Sequence, residues 1–277
     1  MPNPLILDEI VRRALQEDLG LAGDLTSNAV IPPGIRLEAR LVARQPGVIA
    51  GVEAASLAFR TLDPGAEIRV AVPDGGLADA GATLVDVRGD ARALLTAERT
   101  ALNLLCHLSG VATATRGLVD AVAGTRSRIV CTRKTTPGLR ALEKQAVRLG
   151  GGHNHRFGLG DGILVKDNHI AAAGGIAPAV ERVRAAVGHM VKVEVEVDSL
   201  DQLATVLALP VDAVLLDNMP PDLLRRAVAM VDGRMVTEAS GTVGPKTVRA
   251  VAETGVDIIS AGWITHSAPI LDIGMDV

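Results

Sequence analysis

Apolar positions along the chain keep two different rhythms, and the change comes near residue 128. Before it, Leu7, Ile10, Val11, Ala14, Leu15 and Leu19 recur at helical spacing. "RLEARLVARQPGVIAG" then alternates as a strand does and ends at Pro-Gly, and "EAASLAFRTL" predicts a helix. "EIRVAV" and "GATLVDVRG" predict further strands, each bounded by Asp, Gly or Pro turns. Short alternating strands mixed with helices predict an α+β layer. Asp90 is placed to cap a long helix through "ARALLTAERTALNLLCHL", whose end or kink is expected at Ser109-Gly110.

After residue 128 short strands that are apolar on both faces recur: "RIVCTRK", "GILVKDNH", "VKVEVEV", "DAVLLDN", "RMVTEASG" and "VDIISAGW". Val193, Val214, Val236 and Ile258 read as equivalent positions, spaced by 21, 22 and 22 residues. "SLDQLATVLAL", "PPDLLRRAVAMV" and "GPKTVRAVAETG" fill the gaps with helical pattern. A strand and helix repeated in this way predict a parallel sheet, open or closed into a barrel. Polar groups gather where these strands end: Arg133-Lys134, Lys166 to His169, Glu194 and Glu196, Asp217-Asn218, Glu238 with Ser240-Gly241, and Ser260 leading to Thr265-His266. In a parallel barrel those ends share one face, so the groups converge on one mouth.

Composition narrows what that mouth can do. The 277 residues suffice for one large or two modest domains, and 48% hydrophobic with 22% charged residues is an ordinary globular balance. Two Phe, one Trp and no Tyr leave the core to Ala, Val, Leu and Ile. So few aromatics, with a net charge of −4, argue against nucleic acid, which wants stacking platforms and a basic surface. Cys106 and Cys131 lack metal-ligand spacing and read as reduced thiols. The N-terminus lacks a signal-peptide layout, and no apolar run nears the roughly 20 residues that cross a bilayer. A cytoplasmic protein that binds neither membrane nor nucleic acid is expected.

The candidate chemistry starts with charge. Arg133, Lys134, Arg156 and Lys166, with His153 and His155 in "GGGHNHRFGL", would repel one another unless anions neutralised them, so they predict a ligand with several negative charges. The alternative is a solvated basic rim, or ion pairs with Glu196 and Asp217. These two acids are read at matching places on successive strands, a set that suits Mg²⁺ together with ligand oxygens; simple pairing with lysines is the alternative. "EASGTVG" and "SAGWITHS" leave their strands through small residues, as phosphate-holding loops do, though glycine there also serves turn geometry alone. Arg99, Asn103 and His107 line one side of the long helix, where they read as solvent-facing. "HNH" has no suitably placed third ligand for zinc. Dinucleotide, α/β-hydrolase and P-loop signatures are missing.

Taken together, "AERTALNLLCHLSGVAT", "TRKTTPGLRALEKQAVRLGGGHNHRFGLGDGILVKDNHI", "EVEV", "LLDNM", "EASG" and "DIISAGWITHS" closely resemble the quinolinate phosphoribosyltransferase family. The likeness runs from "EDLGLAGDLTS" to "LDIGMDV", essentially the whole chain. It implies an incomplete parallel α/β barrel, residues 109–267, joined to an N-terminal α/β sandwich, residues 1–108, with the tail 268–277 packing back on the sandwich. It implies conversion of quinolinate and phosphoribosyl pyrophosphate to nicotinate mononucleotide, pyrophosphate and CO₂ with Mg²⁺, in NAD biosynthesis. Homodimers with shared sites, or larger assemblies such as hexamers, are implied as well.

By the same resemblance Arg133, His155, Arg156, Lys166 and the neighbouring subunit's Arg99 hold quinolinate. Lys134 bridges quinolinate and the phosphoribosyl group, and Glu196 and Asp217 meet the ribose and Mg²⁺. Ser240, Gly241, Thr242, Ala261, Gly262 and Trp263 hold the phosphate. Gln145, where an aromatic is usual, and Trp263, where a small or aliphatic residue is usual, depart from the pattern. A molybdenum-transport-associated relative shares the "TRKT.PG" and "HR.GL" motifs. Lys166 in "KDNH" and Arg99 and Asn103 in "ERTALN" favour the transferase. A non-catalytic anion-binding module would need the cations but not the paired acids.

Overall fold

Asn3 caps the first helix, α1 (Pro4–Leu19): its side chain accepts the Leu5 N–H at 3.0 Å, and Pro4 stands at a helix start, where no N–H is needed. Leu7, Val11 and Leu15, four apart, are the buried face of α1. The structure, a computed structural model, describes residues 3–277. The chain continues through α2 (Leu25–Val30), β1 (Arg36–Ala43), β2 (Gly47–Val48), α3 (Val52–Leu62), β3 (Glu67–Val70), β4 (Leu77–Ala78) and β5 (Thr83–Asp90) into α4 (Ala91–Ala121). Next come β6 (Arg128–Val130), α5 (Arg140–Leu149), β7 (Ile163–Val165), α6 (Asp167–Ala173), α7 (Ile176–Ala186) and β8 (Val193–Val197). The last elements are α8 (Leu200–Val206), β9 (Ala213–Asp217), α9 (Pro221–Val231), β10 (Val236–Ser240), α10 (Val248–Ala252), β11 (Ile258–Ser260), α11 (Trp263–His266) and β12 (Ile273–Asp276).

Two compact units result. Residues up to Arg116, Thr135–Gly151 and Ser267–Val277 form one; Gly117–Lys134 and Gly152–His266 form the other. In the first, an antiparallel sheet has the order β12-β1-β5-β3, with the chain's last strand paired to its first. The α3 residues Ala54, Ala55, Ala58 and Phe59 are buried, and Phe59 is the bulkiest fully enclosed side chain. No helix among the described residues is long and apolar enough to cross a membrane.

Helix α4 departs from the sequence expectation. Asp90 does cap it, accepting the Ala93 N–H at 3.0 Å, but the helix runs through Ser109-Gly110 to Ala121. Gly110 is there for close packing: a Cβ would run into the Pro269 carbonyl of the C-terminal tail. The Ser109 hydroxyl donates to the Ala50 carbonyl at 3.1 Å and accepts the Ala50 N–H at 3.0 Å.

The second unit is a six-strand parallel sheet in the order β6-β11-β10-β9-β8-β7. Its end strands β6 and β7 do not pair with each other, so it is an incomplete α/β barrel. Strand β8 shows why it folds so: Val193, Val195 and Val197 are buried on one face while Glu194 and Glu196 point to the other. The register corrects the proposed equivalence of Val193, Val214, Val236 and Ile258. Val214 lies beside Val195 and Thr237, and Ile258 beside Glu238, because each strand is displaced along its neighbour.

Acids tie the N-terminal ends of the strands. Asp212 accepts the Val193 N–H at 2.9 Å and pairs with Arg184 and Lys192 at 2.8 and 2.7 Å. Asp257 accepts the Thr237 N–H and hydroxyl at 2.9 and 2.7 Å and pairs with Arg126. Part-burial works against both charges, yet these partners win, and Asp212 is held down to about 2.

Candidate active site

At the C-terminal ends of the same strands lies a cavity of about 1060 Å³. Arg133, Lys134, His155, Arg156, Lys166, Glu196, Asp217, Ser240, Gly241, Thr242, Gly262 and Trp263 all line it. Of the residues expected to come from the same chain, Ala261 does not. Ala261 is fully buried and its N–H joins the ladder to the Val130 carbonyl at 3.0 Å. Arg99 lies exposed on α4, in the other unit, as does Asn103. His107 leaves that polar stripe: its Nε2 is 2.8 Å from Oε1 of the wholly buried Glu143, which also accepts the Thr136 N–H at 3.1 Å.

Lys134 is delivered by its own backbone. Its N–H donates to the Thr132 hydroxyl at 2.9 Å, and its carbonyl accepts the Thr265 hydroxyl at 2.7 Å. The stem passes close over Gly262, where a Cβ would lie 2.9 Å from Lys134 Cδ. Glycine there makes room for the lysine, a need that turn chemistry alone would not disclose.

Glu196 and Asp217 are not at matching places. Glu196 is level with Leu215, and Asp217, one step further out on the same face, is level with Ser240. Lys166 Nζ holds Glu196 Oε2 at 2.7 Å, so the ion-pair alternative for this acid is realised here. The lysine side chain is 46% exposed, within reach of a competing anion. Asp217 Oδ2 accepts from Asn218 Nδ2 at 2.7 Å. Asn218 has φ +51, which asparagine tolerates, and its N–H donates to the Ser240 carbonyl at 2.9 Å. Gly241, φ +132, packs so closely on it that a Cβ would stand 2.5 Å from Asn218 Oδ1.

His155 has both ring nitrogens engaged by the protein. Nδ1 accepts the Arg156 N–H at 2.8 Å, and Nε2 faces Glu194 at 3.2 Å and Glu238 at 3.5 Å. Burial pulls the His155 pKa down, but the Glu194 hydrogen bond and the charges of Glu238 and Glu194 outweigh it, and the net shift is upward. Arg156 also donates to the Gly162 carbonyl at 3.1 Å; burial and the Arg133 charge beside it hold its pKa below the ordinary value. Two crowded guanidiniums are relieved by an anion between them. Glu194 and Glu238 sit among the strand-end groups in the sequence without a role. The V-E-V-E-V alternation is the signal that Glu194 shares the Glu196 face.

The family described as quinolinate phosphoribosyl transferase matches this chain twice, its C-terminal domain over residues 111–276 and its N-terminal domain over residues 24–109. The chain belongs to this family. The nicotinate-nucleotide pyrophosphorylase (carboxylating) of Mycobacterium leprae is 48% identical over 274 residues, covering 97% of this chain and 96% of the relative. The probable nicotinate-nucleotide pyrophosphorylase (carboxylating) of Bacillus subtilis is 44% identical, covering 99% and 94%. A solved nicotinate-nucleotide pyrophosphorylase from Francisella tularensis superposes with a TM-score of 0.95 at 37% identity, covering 100% of this chain and 97% of that one.

Two sets of side chains in this family member could hold a metal ion. Glu196 and Asp217 line the open cavity and suit a hard cation that shares its shell with ligand oxygens. His155, Glu194 and Glu238 place ligating atoms within 4.8 Å of one another, deeper in.

Proposed function

We propose that this chain joins quinolinate to phosphoribosyl pyrophosphate, giving nicotinate mononucleotide, pyrophosphate and CO₂ in NAD biosynthesis. One observation carries the reading within the family: Arg133, Lys134, Arg156 and Lys166 face Glu196 and Asp217 in a single cavity. Quinolinate is a dianion, and Arg133, Arg156 and Lys166 supply charge-assisted hydrogen bonds for its carboxylates, with His155 fixing Arg156 from behind. Lys134 stands where quinolinate meets the ribose. The pyridine nitrogen attacks C1′ as the bond to pyrophosphate breaks, and Glu196 and Asp217 stabilise the positive charge that develops on the ribose. Glu196 and Asp217 would hold Mg²⁺, directly or through water, and the ion would supply charge neutralisation for the leaving pyrophosphate. Ser240, Gly241, Thr242, Gly262 and Trp263 surround the 5′-phosphate. Once the ring nitrogen is glycosylated, the C2–carboxylate bond breaks with its electron pair left on C2, CO₂ departs and a proton from water takes its place. The pyridinium stabilises that pair, so positioning suffices without a dedicated acid or base.

In this reading residues 1–108 and the tail 268–277 form the N-terminal domain, residues 109–267 the catalytic one, and the protein works in the cytoplasm. It works as a homodimer or an assembly of dimers, in which Arg99 of the partner subunit completes the quinolinate site. Purified protein with quinolinate, phosphoribosyl pyrophosphate and Mg²⁺ should form nicotinate mononucleotide and CO₂ in equal amounts. No turnover at saturation would sink the proposal. Mixing Arg99→Ala with Lys134→Ala subunits should restore activity, and failure despite subunit exchange removes the shared site.

A further inference from the structure

Lys166 follows an edge strand, and its main chain is held by the turn that comes after it. Strand β7 pairs with β8, and its ladder stops at Val165, level with Val195. Lys166 is the N-cap of α6, at φ −111 and ψ 169. Its N–H donates to Nδ1 of His169 at 3.0 Å, and its carbonyl accepts the Ile170 N–H at 2.9 Å. A side chain at the third helical position that reaches back to the cap N–H is a capping device, usually built with Glu or Gln. Helix α6 has seven residues and buries none of them. A helix so short is not stable by propensity, so its first turn leans on these local bonds. Its far end is tied by Arg182, which donates to the Ala173 carbonyl at 3.1 Å. From this anchored backbone the Lys166 ammonium lines the cavity and reaches Glu196 at 2.7 Å. His169 itself is exposed and does not line the cavity, so the proposed reaction gives it no direct contact with substrate.

We propose that His169 is a positioning residue for the transfer: by accepting the Lys166 main-chain N–H, it sets where the Lys166 ammonium meets a quinolinate carboxylate. This inference rests on quinolinate as the ligand. Without the acceptor the Lys166 N–H is left to water and the turn loosens. The ammonium then spends less time at the distance a charge-assisted hydrogen bond needs. Quinolinate binds more weakly, while the steps after binding are spared, because Lys134, Glu196 and Asp217 stay where their own segments hold them.

The test is steady-state kinetics of the whole protein with Mg²⁺, varying quinolinate and phosphoribosyl pyrophosphate in turn, beside thermal melts. His169→Ala should raise KM for quinolinate about tenfold, with kcat and KM for phosphoribosyl pyrophosphate within about twofold of wild type, as loss of ground-state binding does. His169→Gln, whose amide oxygen can accept the same N–H, should bring KM for quinolinate back to within about threefold of wild type. An unchanged KM for quinolinate in folded His169→Ala overturns the proposal. Equal impairment of His169→Ala and His169→Gln overturns it too, because the acceptor is then not what matters. An equal rise in KM for both substrates, or a His169→Ala protein unfolded at the assay temperature, assigns His169 to folding alone and also overturns it. Wild type without turnover overturns the quinolinate reading itself, and is distinguished by appearing before any substitution is made.

Discussion

Asp212 precedes strand β9 and Asp217 ends it, and their surroundings differ in kind. Asp212 accepts a ladder N–H and is paired with both Arg184 and Lys192. Asp217 is fixed through one oxygen by Asn218 and faces a cavity lined by cations from segments outside the strands. One residue type at two ends of one strand therefore serves two purposes. At the N-terminal end its charge is consumed by the scaffold, as it is at Asp257. At the C-terminal end the charge stays open to a ligand.

Removing a charge at the open end should have the largest effect. Lys134→Ala leaves the backbone bonds to Thr132 and Thr265 in place, so its melting temperature should match wild type. Its turnover should fall about 10²–10³-fold in a steady-state assay, the range for losing one electrostatic contact to a transition state. Gly241→Ala tests how the open end is built. Its φ of +132 and the 2.5 Å approach to Asn218 Oδ1 force the Asn218 side chain, and with it Asp217, to shift. Loss of about 1–3 kcal/mol in denaturant titration is expected from the backbone conformation alone, together with slower turnover.

Asp212→Asn probes the closed end. The folded pKa of Asp212, about 2, lies below its unfolded value. Its stabilisation is thus complete above about pH 4 and is lost as pH falls from about 4 toward 2. Denaturant titrations should find the variant less stable by about 1–2 kcal/mol near neutrality, the part-exposure of the carboxylate reducing the full value. The gap to wild type should close in acid. Lys192→Ala should be the mildest change, below about 0.5 kcal/mol, because the lysine is 82% exposed while Arg184 and the Val193 N–H remain.

Much of this contrast was legible in the sequence. Two-sided apolar strands ending in Arg133-Lys134, Lys166, Glu196 and Asp217 can converge only if the strands are parallel, and the repeat near 22 residues made them so. What stayed hidden depends on distances between segments. Gly110 looked like a helix stop because its close approach to Pro269 is tertiary. The one-step offset of Asp217 from Glu196 depends on how far each strand slides along the next, which periodicity does not encode. The His155–Glu194–Glu238 group needs three separate segments to meet, and none of them carries the signal alone.

Placing the same substitution at both ends of β9 and measuring turnover of the folded variants tests the division of labour most directly. With quinolinate, phosphoribosyl pyrophosphate and Mg²⁺ at a temperature where both are native, Asp212→Asn should turn over at the wild-type rate, and Asp217→Asn at least about a hundredfold more slowly. Equal rates for the two variants, or a folded Asp212→Asn as slow as Asp217→Asn, would contradict the account.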